Sequence, residues 1–272
     1  MNIYYQGESG AYSNITAIEV AKLLGLDNPE IRGCETFEQV WEKIGEGHIG
    51  VLPIENSYAG PIHANLFAFG RYKASIIGTY NLPIHHCLLS LESDIKSIKT
   101  AISHPQALDQ CYHFLQENTI TAKKFYDTAG AAKHISETGE RGIASISSKL
   151  AAEIYGLNII EEAIEDQEGN TTRFLVVCLT SEIEKYNYTL KKGKVSLIFE
   201  ARNTPASLYK CLGAFATNNV NLSKIENLPS FEKPFTSVFW VDFEGSLEDK
   251  SVKKALEELE FFTSDIRILG EY

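Results

Sequence analysis

Up to about residue 180 the chain alternates short apolar runs with stretches of helical period. NIYYQG at 2–7 has the pattern of a strand, and 14–24 places Ile15, Ile18, Ala21, Leu23 and Leu24 at helical spacing. Further strands are predicted at 49–55, 74–80, 85–91, 100–105, 120–126, 142–146 and 172–180, with helices at 36–45, 106–117, 128–137 and 147–155. Strands alternating with helices make βαβ units, which imply mainly parallel sheets. Ligands of such sheets gather beyond the carboxyl ends of strands, where helices begin.

At 181–193 the sequence turns polar (SEIEKYNYTLKKG) and reads as a linker. Beyond it the pattern gives strand 194–201, helix 205–217, strands 221–228 and 236–244, helix 248–260 and strand 264–269. That βαββαβ order is ferredoxin-like. It buries one sheet face under two helices and leaves the other free, so pairing with a second copy is expected.

Hydrophobic residues make up 44% of the 272 positions and charged residues 22%, a globular balance that excludes a disordered or fibrous chain. At roughly 150 residues per domain this suits one large domain or two ordinary ones. Lys and Arg number 25 against 36 Asp and Glu, a net charge of −11. Nucleic acid, which calls for a basic face, is not an expected partner, and neither is a membrane bound through a polybasic patch. Apolar runs such as FLVVCL at 174–179 are strand-length, well short of the ~20 residues that span a bilayer. The start, MNIYYQGESGAYSN, lacks the pattern of a secretion leader. Five cysteines at 34, 87, 111, 178 and 211 include no C-x-x-C pair and read as buried small hydrophobes in a reducing compartment. The cytoplasm is the expected location.

Four polar clusters fall where predicted strands end. Gly7-Glu8-Ser9-Gly10-Ala11-Tyr12-Ser13 lies at a strand-to-helix junction, where glycines allow close backbone approach and helix N–H groups hold an anion. The same residues also read as a tight turn with Ser13 as N-cap. Without the Lys of a phosphate loop or the third Gly of a dinucleotide fingerprint, no nucleotide is expected. Pro53-Ile54-Glu55-Asn56-Ser57 brings a carboxylate, an amide and a hydroxyl to a strand end, or else caps a helix. In SHPQALDQC at 103–111, Ser103 and Gln110 face one opening only if the chain kinks; otherwise Gln110 is a surface helix residue. His104 has no partner at metal-ligand spacing, and His85 and His86 face oppositely on a strand, so no metal is expected. Gly169-Asn170-Thr171-Thr172-Arg173-Phe174 sets Arg173 at the mouth of an apolar strand, where it meets an anion or an internal carboxylate. Together the clusters suggest one shared site for a small anion.

These segments resemble the prephenate dehydratase family. GESGAYS at 7–13 is similar to the family's G-x-x-G-(T/A)-(F/Y)-S opening, PIENS at 53–57 and SHPQALDQC at 103–111 to its central motifs, and NTTRF at 170–174 to its N-x-T-R-F strand. DTAGAA at 127–132 and ASISSKLAAEIYGL at 144–157 resemble two further blocks, all in family order. NVNLSKIENLP at 219–229 is similar to a segment of the family's ACT regulatory domain, usually N-I-N-L-T-K-I-E-S-R-P. Departures fall in that half: Pro205-Ala206-Ser207-Leu208 replaces the usual P-G-A-L, and Glu226-Asn227-Leu228-Pro229 replaces E-S-R-P.

The resemblance implies an α/β catalytic region of the two-lobed periplasmic-binding-protein-like (type II) kind at 1–180, with its second lobe at about 80–165. A linker at 181–193 and a ferredoxin-like ACT domain at 194–272 complete it. The implied reaction is the decarboxylating dehydration of prephenate to phenylpyruvate in L-phenylalanine biosynthesis. Aromatisation drives the electron flow, so no cofactor is expected. By resemblance Thr172 donates to the leaving oxygen, while Arg173, Glu55, Asn56, Ser57, Ser103, Gln110 and Ser13 bind substrate. L-Phenylalanine is the implied effector, held by Ala206, Ser207, Leu208, Asn221, Leu222, Ser223 and Glu226 between ACT modules of a homodimer or homotetramer. Two other readings stand beside this one: arogenate dehydratase, the same elimination on the amino-acid analogue, and a non-catalytic sensor of small anions.

Overall fold

The structure is a computed structural model and describes residues 2–186, 193–230 and 236–272. From the N-terminus, β1 (Asn2–Gln6) leads to α1 (Tyr12–Leu23), β2 (Glu30–Cys34), α2 (Phe37–Gly45), β3 (Ile49–Asn56), the short β4 (Gly60–Pro61), α3 (His63–Ala68) and β5 (Ala74–Pro83). A second run follows with β6 (Cys87–Ser90), β7 (Thr100–Ser103), α4 (Pro105–Gln110), α5 (Tyr112–Glu117), β8 (Thr121–Lys124), α6 (Thr128–Thr138), β9 (Ile143–Ser147), α7 (Lys149–Tyr155) and β10 (Asn158–Glu161). Next comes β11 (Thr171–Leu179), which returns to the first sheet, of order β2-β1-β3-β11-β5 with β4 beside β3. The second sheet has the order β10-β6-β9-β7-β8.

That second sheet is mixed rather than mainly parallel. β7 pairs parallel with β8 and β9, but β6 pairs antiparallel with β9 and β10. β6 enters from β5 without a crossover helix, so nothing obliges it to run with β7 and β9. The edge strands β2 and β10 escape the sequence pattern because EIRGC and NIIE are exposed or half-buried throughout and show no apolar alternation. The helix expected at 106–117 breaks at Cys111. Asp166 accounts for the break: its N–H takes the Gln110 carbonyl at 2.7 Å, which a continuous helix would pair four residues on, and its carboxylate accepts from His113 N–H at 3.1 Å.

After a 3-10 turn at Thr180–Lys185, β12 (Lys194–Ala201), α8 (Ser207–Thr217), β13 (Leu222–Pro229), β14 (Ser237–Glu244), α9 (Lys250–Glu260) and β15 (Thr263–Glu271) form the expected βαββαβ unit. Its pairs are antiparallel in the ferredoxin-like order β13-β14-β12-β15. Val195, Leu197, Phe199, Val241 and Phe243 pack on one face against Ala214 and Phe215 of α8 and Val252 and Leu259 of α9. Of the expected linker, 187–192 lie outside the described residues.

By contact the chain divides into two compact units, Met1–Glu42 with Gly50–Ile62 and Tyr80–Phe174, and Lys43–Ile49 with His63–Thr79 and Leu175–Tyr272. Within the second, the face of the βαββαβ sheet that the sequence pattern leaves free is covered by 63–79. Arg267 donates to the carbonyls of Phe69 and Tyr72, and Trp240 meets Phe69 edge-on with ring centroids 5.1 Å apart. Under them Asp242 is fully buried and accepts from the Ser196 hydroxyl and from Trp240 Nε1–H at 2.7 Å. Its hydrogen bonds offset the cost of burying that carboxylate.

Candidate active site

A cavity of about 510 Å³ lies in the first unit, and four helices begin at its wall. Tyr12 and Ser13 open α1, Phe37 opens α2, Gln106 and Ala107 belong to the first turn of α4, and Thr128 opens α6. Helix N-termini carry unpaired N–H groups and partial positive charge, so their convergence suits an anion. Among the described residues no Lys or Arg lines this wall. Local sequence sets each start. Thr36 Oγ1 accepts from Gln39 N–H at 3.3 Å while Gln39 Oε1 accepts from Glu35 N–H at 2.9 Å, a reciprocal cap for α2. Asp127 accepts from Gly130 N–H at 2.6 Å, and burial raises its carboxyl above the ordinary value. α1 differs, for its cap residue Ala11 offers no side-chain acceptor and Gly10 N–H goes to Asn14 Oδ1 at 2.9 Å. Ser13 is therefore the second residue of the helix and not its cap. Gly10 has φ +88°, and a Cβ there would stand 2.8 Å from Ala151 Cα, so only glycine fits.

Behind the wall runs a chain of buried amides whose direction is set by backbone groups. Asn56 Oδ1 accepts from the N–H groups of Tyr58 and Ala59, both at 3.0 Å. Backbone N–H only donates, so the oxygen end of Asn56 is fixed and its Nδ2 faces inward. Nδ2 donates to Asn170 Oδ1 at 2.8 Å and to Thr172 Oγ1 at 3.0 Å. Asn170 Nδ2 in turn donates to Gln110 Oε1 at 3.0 Å. Thr172 thus accepts from Asn56 and, among the described residues, gives its own O–H to no protein group. It lines the cavity with a proton to offer.

The prephenate dehydratase family model matches residues 3–182. The chain belongs to the prephenate dehydratase family. Arogenate dehydratase/prephenate dehydratase 1, chloroplastic, from Arabidopsis thaliana is 38% identical over 289 residues, covering 100% of this chain and 72% of that one. A solved structure described as GqqA, a novel type of quorum quenching acylases, is 32% identical with a TM-score of 0.84 over 99% of this chain and 97% of its own. Prephenate dehydratase from Arthrobacter aurescens, solved in complex with L-Phe, is 26% identical with a TM-score of 0.84, covering 100% of this chain and 89% of that one. The α/β class and the C-terminal ferredoxin-like order read from the sequence are both present in the structure. Membership of the prephenate dehydratase family makes the chain a hydro-lyase. Among the described residues no helix is long and apolar enough to cross a membrane.

Of the residues that resemblance to prephenate dehydratases singled out, Thr172, Asn56, Gln110 and Ser13 line the cavity, whereas Arg173, Glu55, Ser57 and Ser103 do not. Alternation along β11 turns Thr172 and Phe174 to the wall and sets Arg173, half-buried, on the other face. Glu55 lies on β3 opposite Pro61 of β4. Ser57 Oγ accepts from Thr171 N–H at 3.0 Å and stitches two strand ends together. Ser103 is fully buried and donates to the Ile146 carbonyl at 2.6 Å, tying β7 to β9 beneath the site. The kink at Cys111 is what puts Gln110 on the wall. Sequence reasoning passed over Tyr12, His86, Asp127 and the α2 start, all of which line the cavity. Two of these had a local signal: the capping pattern Thr36-x-x-Gln39, and Asp127 as an N-cap residue directly before the helix predicted at 128–137.

The residues expected from the sequence to hold an effector fall into two groups. Ala206 caps α8 in the left-handed region at φ +60°, where the family usually has Gly, with Ser207 and Leu208 following. Asn221, Leu222 and Ser223 lie at the opposite end of that helix, where β13 begins, and Glu226 pairs with Lys224 at 3.2 Å. Eleven residues of helix, about 16 Å, separate the two groups within one chain.

Proposed function

We propose that this chain converts prephenate to phenylpyruvate and that Thr172 hydrogen-bonds the departing hydroxide. The bond from the ring carbon to its carboxylate breaks, that electron pair enters the ring, the carbon–oxygen bond to the ring hydroxyl breaks, and carbon dioxide and hydroxide leave. A threonine is a weak acid, so its part is hydrogen-bond stabilisation of the oxygen as charge grows on it. The observation that carries this reading is the Asn56 to Thr172 hydrogen bond, which occupies the acceptor side of the hydroxyl and leaves its proton for a ligand. The converging helix N-termini and the Gln110 amide supply neutral donors for a dianionic substrate. Arg173 is assigned no contact with substrate. Incubation with prephenate and ultraviolet detection of phenylpyruvate tests the reading, and absence of product overturns it.

The names of the relatives favour one second reading, arogenate as substrate. Parallel kinetics on both compounds separate the two. Thr172 is not placed for acyl transfer, which needs a base beside its nucleophile, because the Asn56 amide stands there.

We also infer that 194–272 is an ACT regulatory domain binding L-phenylalanine, joined by a linker at 181–193 to a catalytic region at 1–180 whose second lobe spans about 80–165. The L-Phe complex of the Arthrobacter aurescens relative supports this. So does the separation of Ala206, Ser207 and Leu208 from Asn221, Leu222 and Ser223, since a site using both needs a second copy of the chain. A homodimer or homotetramer is the corresponding assembly. Calorimetry with L-phenylalanine beside an activity titration tests the inference: saturable binding with lowered turnover is expected, and no binding at millimolar ligand overturns it. Five scattered cysteines with no C-x-x-C pair support the reducing cytoplasm as location.

A further inference from the structure

Gln110 ends α4, and a glutamine at a helix end has two amide orientations and several rotamers open to it. Here its Oε1 is held twice, by Asn170 Nδ2 at 3.0 Å and by a ring nitrogen of His86 at 2.9 Å. Because Asn170 already makes this oxygen the acceptor, His86 must donate from Nε2. Its Nδ1 then carries the lone pair, which the Tyr12 hydroxyl meets at 2.7 Å. That one Tyr12 proton is shared with the His85 carbonyl at 2.9 Å, and with Gln110 on Nε2 and Tyr12 on Nδ1 the ring is held at both nitrogens. His86 is 2% exposed, and its burial favours the neutral imidazole that this pattern requires. The result is that Gln110 Nε2, which has no partner among the described residues, is left for whatever occupies the cavity.

We propose that His86, backed by Tyr12, is a positioning residue that holds the Gln110 amide with its N–H groups toward the anionic end of the substrate. The proposal rests on the reading of this cavity as the dehydratase site. His86 itself does not reach the reacting atoms; its Nε2–H adds to the Asn170 amide in holding the Gln110 oxygen away from a carboxylate in the cavity.

Two replacements of unequal length test this. In His86→Gln a side-chain amide replaces Nε2–H and still donates to Gln110, whereas His86→Asn is too short and reaches only toward Tyr12. His86→Asn is expected to raise KM about tenfold with kcat within about threefold, the scale of a lost charge-assisted hydrogen bond, and His86→Gln to stay within about threefold of wild type in both. Gln110→Leu should raise KM about as much, and the double variant no further. Equal effects of Asn and Gln at 86, a fall in kcat alone, or multiplying costs of His86→Asn and Gln110→Leu would overturn the proposal. If His86→Asn does not fold, Tyr12→Phe serves, with a smaller rise in KM expected, and an unchanged KM counts against the proposal. A wild type without turnover of prephenate or arogenate removes the functional reading and this proposal with it. A wild type that turns over while its variants fail the pattern removes the proposal alone.

Discussion

Thr172 and Asn56 share one hydrogen bond, and its direction decides what the threonine can do. Thr172→Ala is expected to lower turnover by about 10²-fold or more with folding intact, and Thr172→Ser to retain most of it, because only a hydroxyl at that point is required. Asn56→Asp is the sharper test. A carboxylate accepts only, so the Thr172 proton would be drawn to it and lost to the substrate, with turnover falling about as far as in Thr172→Ala. Steady-state rates near wild type in Asn56→Asp would mean that the Thr172 proton is not used. A different residue-scale effect belongs to Ala206, an exposed alanine at φ +60°. Left-handed backbone costs an L-residue roughly 1–2 kcal/mol, so Ala206→Gly should raise stability by about 1 kcal/mol in denaturant unfolding, and a loss would show that the alanine methyl is used. Both kinds of residue stand in recognisable motifs. What the motifs do not carry is orientation: Asn56 takes its direction from the N–H groups of Tyr58 and Ala59 and passes it to Asn170, 114 positions on.

At the scale of elements, the wall of the site is a set of helix starts, and their caps are chain-local chemistry. Asp127 caps α6 from a buried position where burial raises its carboxyl above 3.8. A carboxyl raised in the folded state contributes stability that is complete below its ordinary value and is lost as pH rises through the raised one. Asn at 127 keeps an acceptor for Gly130 N–H without a charge. Asp127→Asn is therefore expected to melt at or above the wild-type temperature at pH 7, with a flatter stability profile above pH 3.8. A lower melting temperature at pH 7 would show that the charge itself stabilises α6. Strand and helix positions were largely legible because periods of 2 and 3.6 residues are written into neighbouring positions. β2 and β10 were not, being edge strands with no apolar face, and the stop at Cys111 was not, since Asp166 imposes it from 55 or so residues on.

Over the whole molecule, one tight approach joins distant segments of the second unit. A Cβ on Gly270 would lie 2.1 Å from the Ile76 carbonyl oxygen, so Gly270→Ala must displace β15 or β5. A loss of roughly 2 kcal/mol or more in denaturant unfolding is expected, and an unchanged midpoint would mean that this approach is absent in solution. From sequence alone the βαββαβ module had one buried face and one free face, because alternation in β12 and β14 tells which residues share a side but not what covers it. Trp240, Asp242 and Arg267 find their partners only in the folded chain. The same division holds for the site. The order of its motifs and the strand ends that carry them are properties of nearby residues, so the sequence determined them. Which of Thr172 and Arg173 meets the cavity depends on which face of β11 its neighbours leave open, and a one-residue step reverses the answer. That choice, the break that turns Gln110 inward and the direction of every amide behind the wall required groups far apart in the chain to meet, and only the tertiary structure brings them together.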